Sequence, residues 1–90
     1  MQKLFTIITF SKAMRSHIIN LHELLSCATD LRHVIEVNRR ARYYQERIET
    51  RMQEEKGFLL KVELRSVKRE MMRLRNRIGS MTAMFLSEAA

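Results

Sequence analysis

The stretch that decides the fold is LKVELRSVKREMMRLRNRIGSMTAMF, which runs from Leu60 to Phe85. Its apolar residues recur at alternating steps of four and three, a spacing that places them along one side of an α-helix. They are Leu60, Leu64, Val67, Met71, Leu74, Ile78, Met81 and Phe85. We call this row the heptad seam, and it predicts an interaction surface along which another helix packs.

The composition of the whole chain favours helix. The 90 residues include no Pro and only two Gly, whereas Leu, Met, Arg and Glu are frequent. Because backbone breakers are rare and helix formers are common, we predict an all-α fold. The 90 residues fit one helical domain, divided into an amphipathic N-terminal arm (1–28), a basic polar helix (30–56) and a heptad helix (58–88).

Gly57 follows a polar run and precedes the apolar start of the heptad helix. A Gly at this point typically adopts the left-handed backbone conformation that ends one helix before the next begins. If the chain folds back there, the apolar residues of its two halves meet in register: Ile48 with Val67, Ala41 with Leu74, and Val34 with Met81. This matching predicts an antiparallel helical hairpin with its turn near Gly57.

A parallel coiled-coil dimer is the alternative, and the charges beside the heptad seam favour it. Glu63 would reach Lys68 of a second copy, and Glu70 would reach Arg75. The sequence alone leaves both arrangements open, because each exposed pair contributes only a few tenths of a kcal/mol.

The N-terminal arm is rich in apolar side chains that the hairpin does not cover. So large an apolar surface does not stay unpaired in water. The arm must fold back as a third helix, pack on another copy, enter a partner, or lie on a membrane. We predict a partner-binding arm, within a helical bundle or coiled-coil assembly, that uses Phe5, Ile8, Phe10, Met14, Ile18 and Leu21.

The net charge of +7 favours an acidic or anionic partner without choosing among them. Basic and aromatic residues are interleaved in the polar helix, where guanidinium groups can grip phosphates and rings can stack on bases. The candidate nucleic-acid contacts are Arg39, Arg40, Arg42, Tyr43, Arg47 and Arg51. A second basic set flanks the heptad seam: Arg65, Lys68, Arg69, Arg73, Arg75 and Arg77.

Nothing in the sequence points to catalysis or to a bound cofactor. The single Cys27 cannot form an internal disulfide, and it lies five or six residues from His22 and His33, which is not the spacing of metal ligands on one helical face. No phosphate-binding Gly loop or nucleophile motif occurs. We therefore predict a protein that is not an enzyme and that has no metal, cofactor or small-molecule substrate.

The leading hypothesis is a non-enzymatic helical interaction module that self-associates or acts as a small adaptor or structural subunit of a larger complex. The alternative is a basic nucleic-acid-binding protein that contacts RNA or DNA through Arg39–Arg51, within a ribonucleoprotein. Attachment to a membrane surface is a third and less favoured reading. An intracellular location is favoured, and the basic, acid-free residues 1–22 make a mitochondrial one the alternative.

Overall fold

The computed structural model describes the backbone of residues 2–89 and the side chains of residues 5–88. Three α-helices make up almost all of this part of the chain: α1 (Gln2–Ser26), α2 (Leu31–Glu54) and α3 (Phe58–Ala89). No strand occurs among residues 2–89. The prediction of an all-α fold is therefore confirmed.

Polar contacts between α2 and α3 show that these helices run in opposite directions. Lys68 Nζ lies 3.5 Å from Glu49 Oε1, and Arg75 Nη1 donates a 2.6 Å hydrogen bond to Gln45 Oε1. Along these contacts the residue number rises on α3 while it falls on α2. The two helices form the largest interhelical contact of the described chain.

Helix α1 lies parallel to α3. Arg15 Nη2 is 3.2 Å from Glu63 Oε1, and Arg77 Nη2 donates a 2.6 Å hydrogen bond to Ser26 Oγ, so residue numbers rise together on both helices. Helix α1 also contacts α2, since the His17 and Tyr44 rings stack with centroids 4.2 Å apart. The helices therefore pack in an up-down-up arrangement about 53 Å long.

The heptad seam lies at the centre of this arrangement. Leu64, Val67, Met71 and Leu74 are completely buried, and Ile78 is nearly so. The remaining members of the seam pack on the edge of the same core: Leu60, Met81 and Phe85. The residues expected opposite the seam are buried with it: Val34, Ala41 and Ile48.

The N-terminal arm folds back along its own chain as the third helix. The structure places Phe10, Met14, Ile18 and Leu21 in the core, so these predicted partner contacts are made within the chain, because α1 supplies the third wall around the seam. Of the six residues predicted for the arm, only Phe5 and Ile8 stay exposed.

The connection between α1 and α2 is set by a local capping contact. Asp30 has extended backbone (φ −151°, ψ 174°), and its carboxylate accepts a 3.1 Å hydrogen bond from the backbone N–H of His33. A carboxylate at this position satisfies a free N–H at the start of α2. This hydrogen bond is also the main reason why the pKa of Asp30 is lowered.

The predicted left-handed conformation of Gly57 is wrong, since neither glycine has a positive φ. Helix α2 ends instead at Glu55, whose backbone is extended (φ −85°, ψ 130°). The buried Glu55 carboxylate then accepts a 2.8 Å hydrogen bond from the N–H of Gly57, and the Gly57 carbonyl accepts one from Lys61. Gly57 is therefore the N-cap residue of α3, and the carboxylate of Glu55 approaches the place that a side chain at Gly57 would fill.

The turn geometry predicts that Gly57→Ala is tolerated. The new Cβ would lie 3.1 Å from Glu55 Oε1, the end of a flexible side chain. A small shift of this carboxylate opposes the entropic gain of replacing Gly, so the free energy of unfolding, measured with urea, should change by no more than about 0.5 kcal/mol.

Gly79→Ala is the matched control, because Gly79 lies inside α3 with open space around its Cα. There Ala should stabilise the protein by about 0.5–1 kcal/mol through helix propensity alone. A loss of about 1 kcal/mol or more for Gly57→Ala, the range expected of a left-handed residue, would contradict the turn described above.

Candidate interaction surfaces

The basic segment predicted to contact nucleic acid is largely engaged within its own helix. Arg39 and Arg40 both bind the Glu36 carboxylate, at 2.7 and 3.2 Å. Hydrogen bonds from Arg39 and Arg40 lower the pKa of Glu36, and the same carboxylate raises the pKa of Arg39. Two cations of the predicted contact are therefore already paired with an anion.

The rest of that segment divides between intramolecular contacts and solvent. Arg47 donates a 3.1 Å hydrogen bond to the Tyr43 hydroxyl, and Arg51 lies over the Phe10 ring at 4.9 Å. Arg42 is exposed and forms no ion pair or hydrogen bond with the described residues. The segment therefore offers an exposed ring at Tyr43 but few free guanidinium groups.

The second basic set separates into an inner and an outer group. Lys68, Arg75 and Arg77 bridge α3 to the other helices. Three arginines on successive turns instead point to solvent and form no ion pair or hydrogen bond with residues 5–88: Arg65, Arg69 and Arg73. We call them the arginine row, and neighbours in the row are spaced about 6 Å along the helix axis.

A polar cluster closes the middle of the groove between α1 and α3. Arg15 lies 3.2 Å from both Glu63 Oε1 and Ser66 Oγ, and its Nε lies 3.5 Å from Glu70. Because the groups are only half-buried, we attribute to this cluster the alignment of the two helices rather than a large stabilisation.

Another polar contact joins the same helices farther along. Arg77 Nη1 donates a 3.0 Å hydrogen bond to the backbone carbonyl of His22 and lies equally close to its ring nitrogen. Burial, and then the positive charge of Arg77, lower the pKa of His22. This histidine is thus part of the helix packing.

The groove between α1 and α3 becomes apolar toward the α2–α3 turn. Ile8 lies two helical turns before Arg15, and Leu59 lies one turn before Glu63. Since Arg15 is bonded to Glu63 and Ser66, Ile8 and Leu59 lie on the sides of α1 and α3 that border this groove, nearer its turn end. Both are exposed there, so the groove is polar at its centre and apolar at its turn end.

Further exposed apolar side chains lie around this layer. Thr6 and Ile7 line one depression with Glu54 and Glu55, so α1 begins beside the α2–α3 turn and brings Phe5 to the same end as Phe58. Phe5, Phe58 and Leu59 expose 72%, 74% and 77% of their surface. We define the turn-end surface by its five exposed apolar side chains: Phe5, Ile8, Phe58, Leu59 and Val62.

Cations surround the turn-end surface. Lys12 follows Ile8 by one helical turn, Lys56 lies in the turn itself, and Lys61 and Arg65 lie in the first turns of α3. None of these four forms an ion pair with the described residues. Among the acids at this end, Glu63 is paired with Arg15 and the buried Glu55 is bound to the Gly57 N–H, whereas Glu54 is exposed. Cations therefore outnumber exposed acids along the rim of the turn-end surface.

The sequence predicted only part of the turn-end surface. Phe5 and Ile8 were among the predicted partner contacts, whereas Phe58, Leu59 and Val62 were not. The available signal was that these three residues precede or flank the heptad seam without belonging to it, which puts them away from the core side of α3.

The structure offers no metal centre among the described residues, where no group of three or more His, Cys, Asp or Glu side chains converges. None of the helices, searched over residues 2–89, combines the length and the apolarity needed to cross a bilayer. Comparisons with models of known protein families, with curated proteins and with solved structures find no match to this chain.

Proposed function

We propose that this protein is a non-enzymatic helical interaction module, a small adaptor or structural subunit whose turn-end surface attaches it to a larger structure, either a protein complex or a membrane. The observation that carries the proposal is that Phe5, Phe58 and Leu59, at one end of the bundle, are the most exposed large apolar side chains among residues 5–88. Contiguous exposed apolar side chains rimmed by polar ones are typical of interaction sites.

The use of the heptad seam within the chain argues against self-association along it. A second copy could pair with the heptad seam only if α1 and α2 moved away from α3. That movement would expose the apolar sides of all three helices to water. The charges that would join a parallel dimer also have other partners, since Glu63 and Glu70 contact Arg15, while Lys68 contacts Glu49. Of the apolar side chains that remain outside the core, the most exposed lie at the turn end.

The proposal that the protein is not an enzyme rests on how its half-buried polar groups are used. Arg15, Arg75 and Arg77 connect helices, and the carboxylates near them serve as their partners. Such groups orient helices and are occupied by these contacts, so none of them is a free acid or base.

A photoreactive benzoyl-phenylalanine introduced in cells tests this proposal. At position 58 it should form a covalent adduct, with a protein or with a lipid, because Phe58 lies within the proposed interaction surface. At position 43 it replaces Tyr43, an exposed aromatic residue on α2, and should form none. Absence of any adduct at position 58, or equal labelling at both positions, would overturn the proposal.

Nucleic-acid binding is the second candidate function, and the arginine row favours it. Arg65, Arg69 and Arg73 are exposed, aligned and free of ion pairs with the described residues, whereas Arg39 and Arg40 are paired with Glu36. A row of free cations suits a polyphosphate backbone. We therefore propose contact through α3 in this case, and not through the α2 segment that the sequence suggested.

Two triple variants test this candidate. Changing Arg65, Arg69 and Arg73 to Gln should weaken binding to single-stranded RNA and reduce the slope of log affinity against log salt by roughly one per arginine. The control changes Arg39, Arg40 and Arg42 to Gln, removes the same charge and should retain most of the affinity. No binding by the unchanged protein at low salt, or a larger loss in the control, would exclude the arginine row as a nucleic-acid contact.

A further inference from the structure

We propose that the turn-end surface docks on an anionic membrane surface. This inference rests on the proposed function, because it names the partner of the same surface. Phe58 and Leu59 would insert among the acyl chains at the interface, and the surrounding cations would bind lipid headgroups. Interfacial binding of this kind combines buried apolar area with attraction to anionic lipid and requires no membrane-spanning helix.

The shape and chemistry of the surface favour a fluid partner. Phe58 and Leu59 project from the first turn of α3 with about three quarters of their surface exposed. All five side chains of the turn-end surface are hydrocarbon, without a hydroxyl or amide to fix a directional contact. A projecting surface of this kind needs a deep pocket in a rigid partner, whereas lipid chains close around it without one.

The arrangement of the cations adds a second, electrostatic argument. Lys12, Lys56, Lys61 and Arg65 lie around the apolar side chains and form no ion pairs with the described residues. Their long aliphatic stems can lie along the apolar surface while the charged ends reach outward to phosphate or carboxylate headgroups. A positive rim around an apolar centre is complementary to the surface of a membrane that contains anionic lipid.

A second copy of the chain fits this surface less well. Symmetric pairing through the turn ends would bring Lys12, Lys56 and Lys61 close to the same cations of the partner. The exposed fractions of the five turn-end side chains correspond to an apolar area on the order of 600 Å². A standard interface buries roughly 800 Å² from each partner, a little over half of it apolar, so the area alone would allow pairing and it is the repulsion between these cations that disfavours it.

Flotation with lipid vesicles tests the inference. The full chain should float with vesicles that contain phosphatidylserine and bind at least about tenfold less to pure phosphatidylcholine. The double variant Phe58→Gln with Leu59→Gln should lose at least about tenfold in binding, because it removes the most exposed apolar side chains. Met84→Gln with Leu86→Gln is the matched control, which changes exposed apolar residues at the other end of α3 and should bind within about twofold of the unchanged protein.

A matched pair of double variants tests the role of the cations around the turn-end surface. Lys12→Gln with Lys56→Gln should weaken binding to phosphatidylserine vesicles by at least about tenfold. Arg39→Gln with Arg40→Gln removes the same charge from residues already paired with Glu36 and should have a smaller effect. An equal loss in both pairs would mean that net charge alone attracts the protein and would overturn the inference.

A fluorescence measurement tests membrane docking without relying on variants that lose binding. The chain contains no Trp, so Phe58→Trp introduces a single reporter whose emission should shift to the blue when anionic vesicles are added. Tyr43→Trp, on the exposed side of α2, should show no shift. No shift at position 58, or the same shift at both positions, would overturn membrane docking.

The crosslinking and vesicle experiments together separate this inference from the proposed function. A protein adduct at position 58 without vesicle binding would keep the proposed function and overturn membrane docking. No adduct of any kind would overturn the proposed function itself.

Discussion

Burial of the heptad seam against the apolar stripes of α1 and α2 is the interaction on which the rest of the structure depends. Leu64, Val67, Met71 and Leu74 have no exposed surface, and a large apolar side chain contributes about 1.5–3 kcal/mol when it is fully buried. A chain of 90 residues has little other core. The position of α1 follows from this need, since a hairpin of α2 and α3 alone would leave one side of the seam in water.

The short connections between the helices set their directions, because segments of three or four residues join antiparallel neighbours. Polar contacts then favour one register of the packed helices. Arg15 contacts Glu63 and Glu70 across α1 and α3, and Lys68 contacts Glu49 across α3 and α2. The same contacts occupy the charges that a parallel two-stranded dimer would use.

The sequence predicted the helical fold and the buried sides of α2 and α3 because both depend on periodic spacing. Ile48, Ala41 and Val34, matched with the seam by position alone, are all buried. The destination of the N-terminal arm was not predictable, because burial of Phe10 or Met14 is similarly favourable in a third helix, in a second copy or in a partner. Gly57 was misread because the side chain of Glu55, and not a left-handed glycine, stabilises the turn.

The predicted interaction residues show a related limit. Arg39 and Arg40 stand three and four residues after Glu36, so their pairing was readable from helical spacing. The exposure of Phe58 and Leu59 was readable only in part, because both lie off the seam but the residues that α1 covers depend on tertiary packing. Apolar periodicity identifies the buried side of a helix, but tertiary packing decides which apolar residues remain outside.

Sedimentation equilibrium tests most directly whether one chain closes its own heptad seam. In the absence of lipid and nucleic acid, we predict a single folded species of 10.8 kDa, the mass of one chain. Its mass and melting temperature should not change over a wide range of protein concentration. A species of twice this mass, with a melting temperature that rises with concentration, would show that the seam is shared between two copies and would contradict the account.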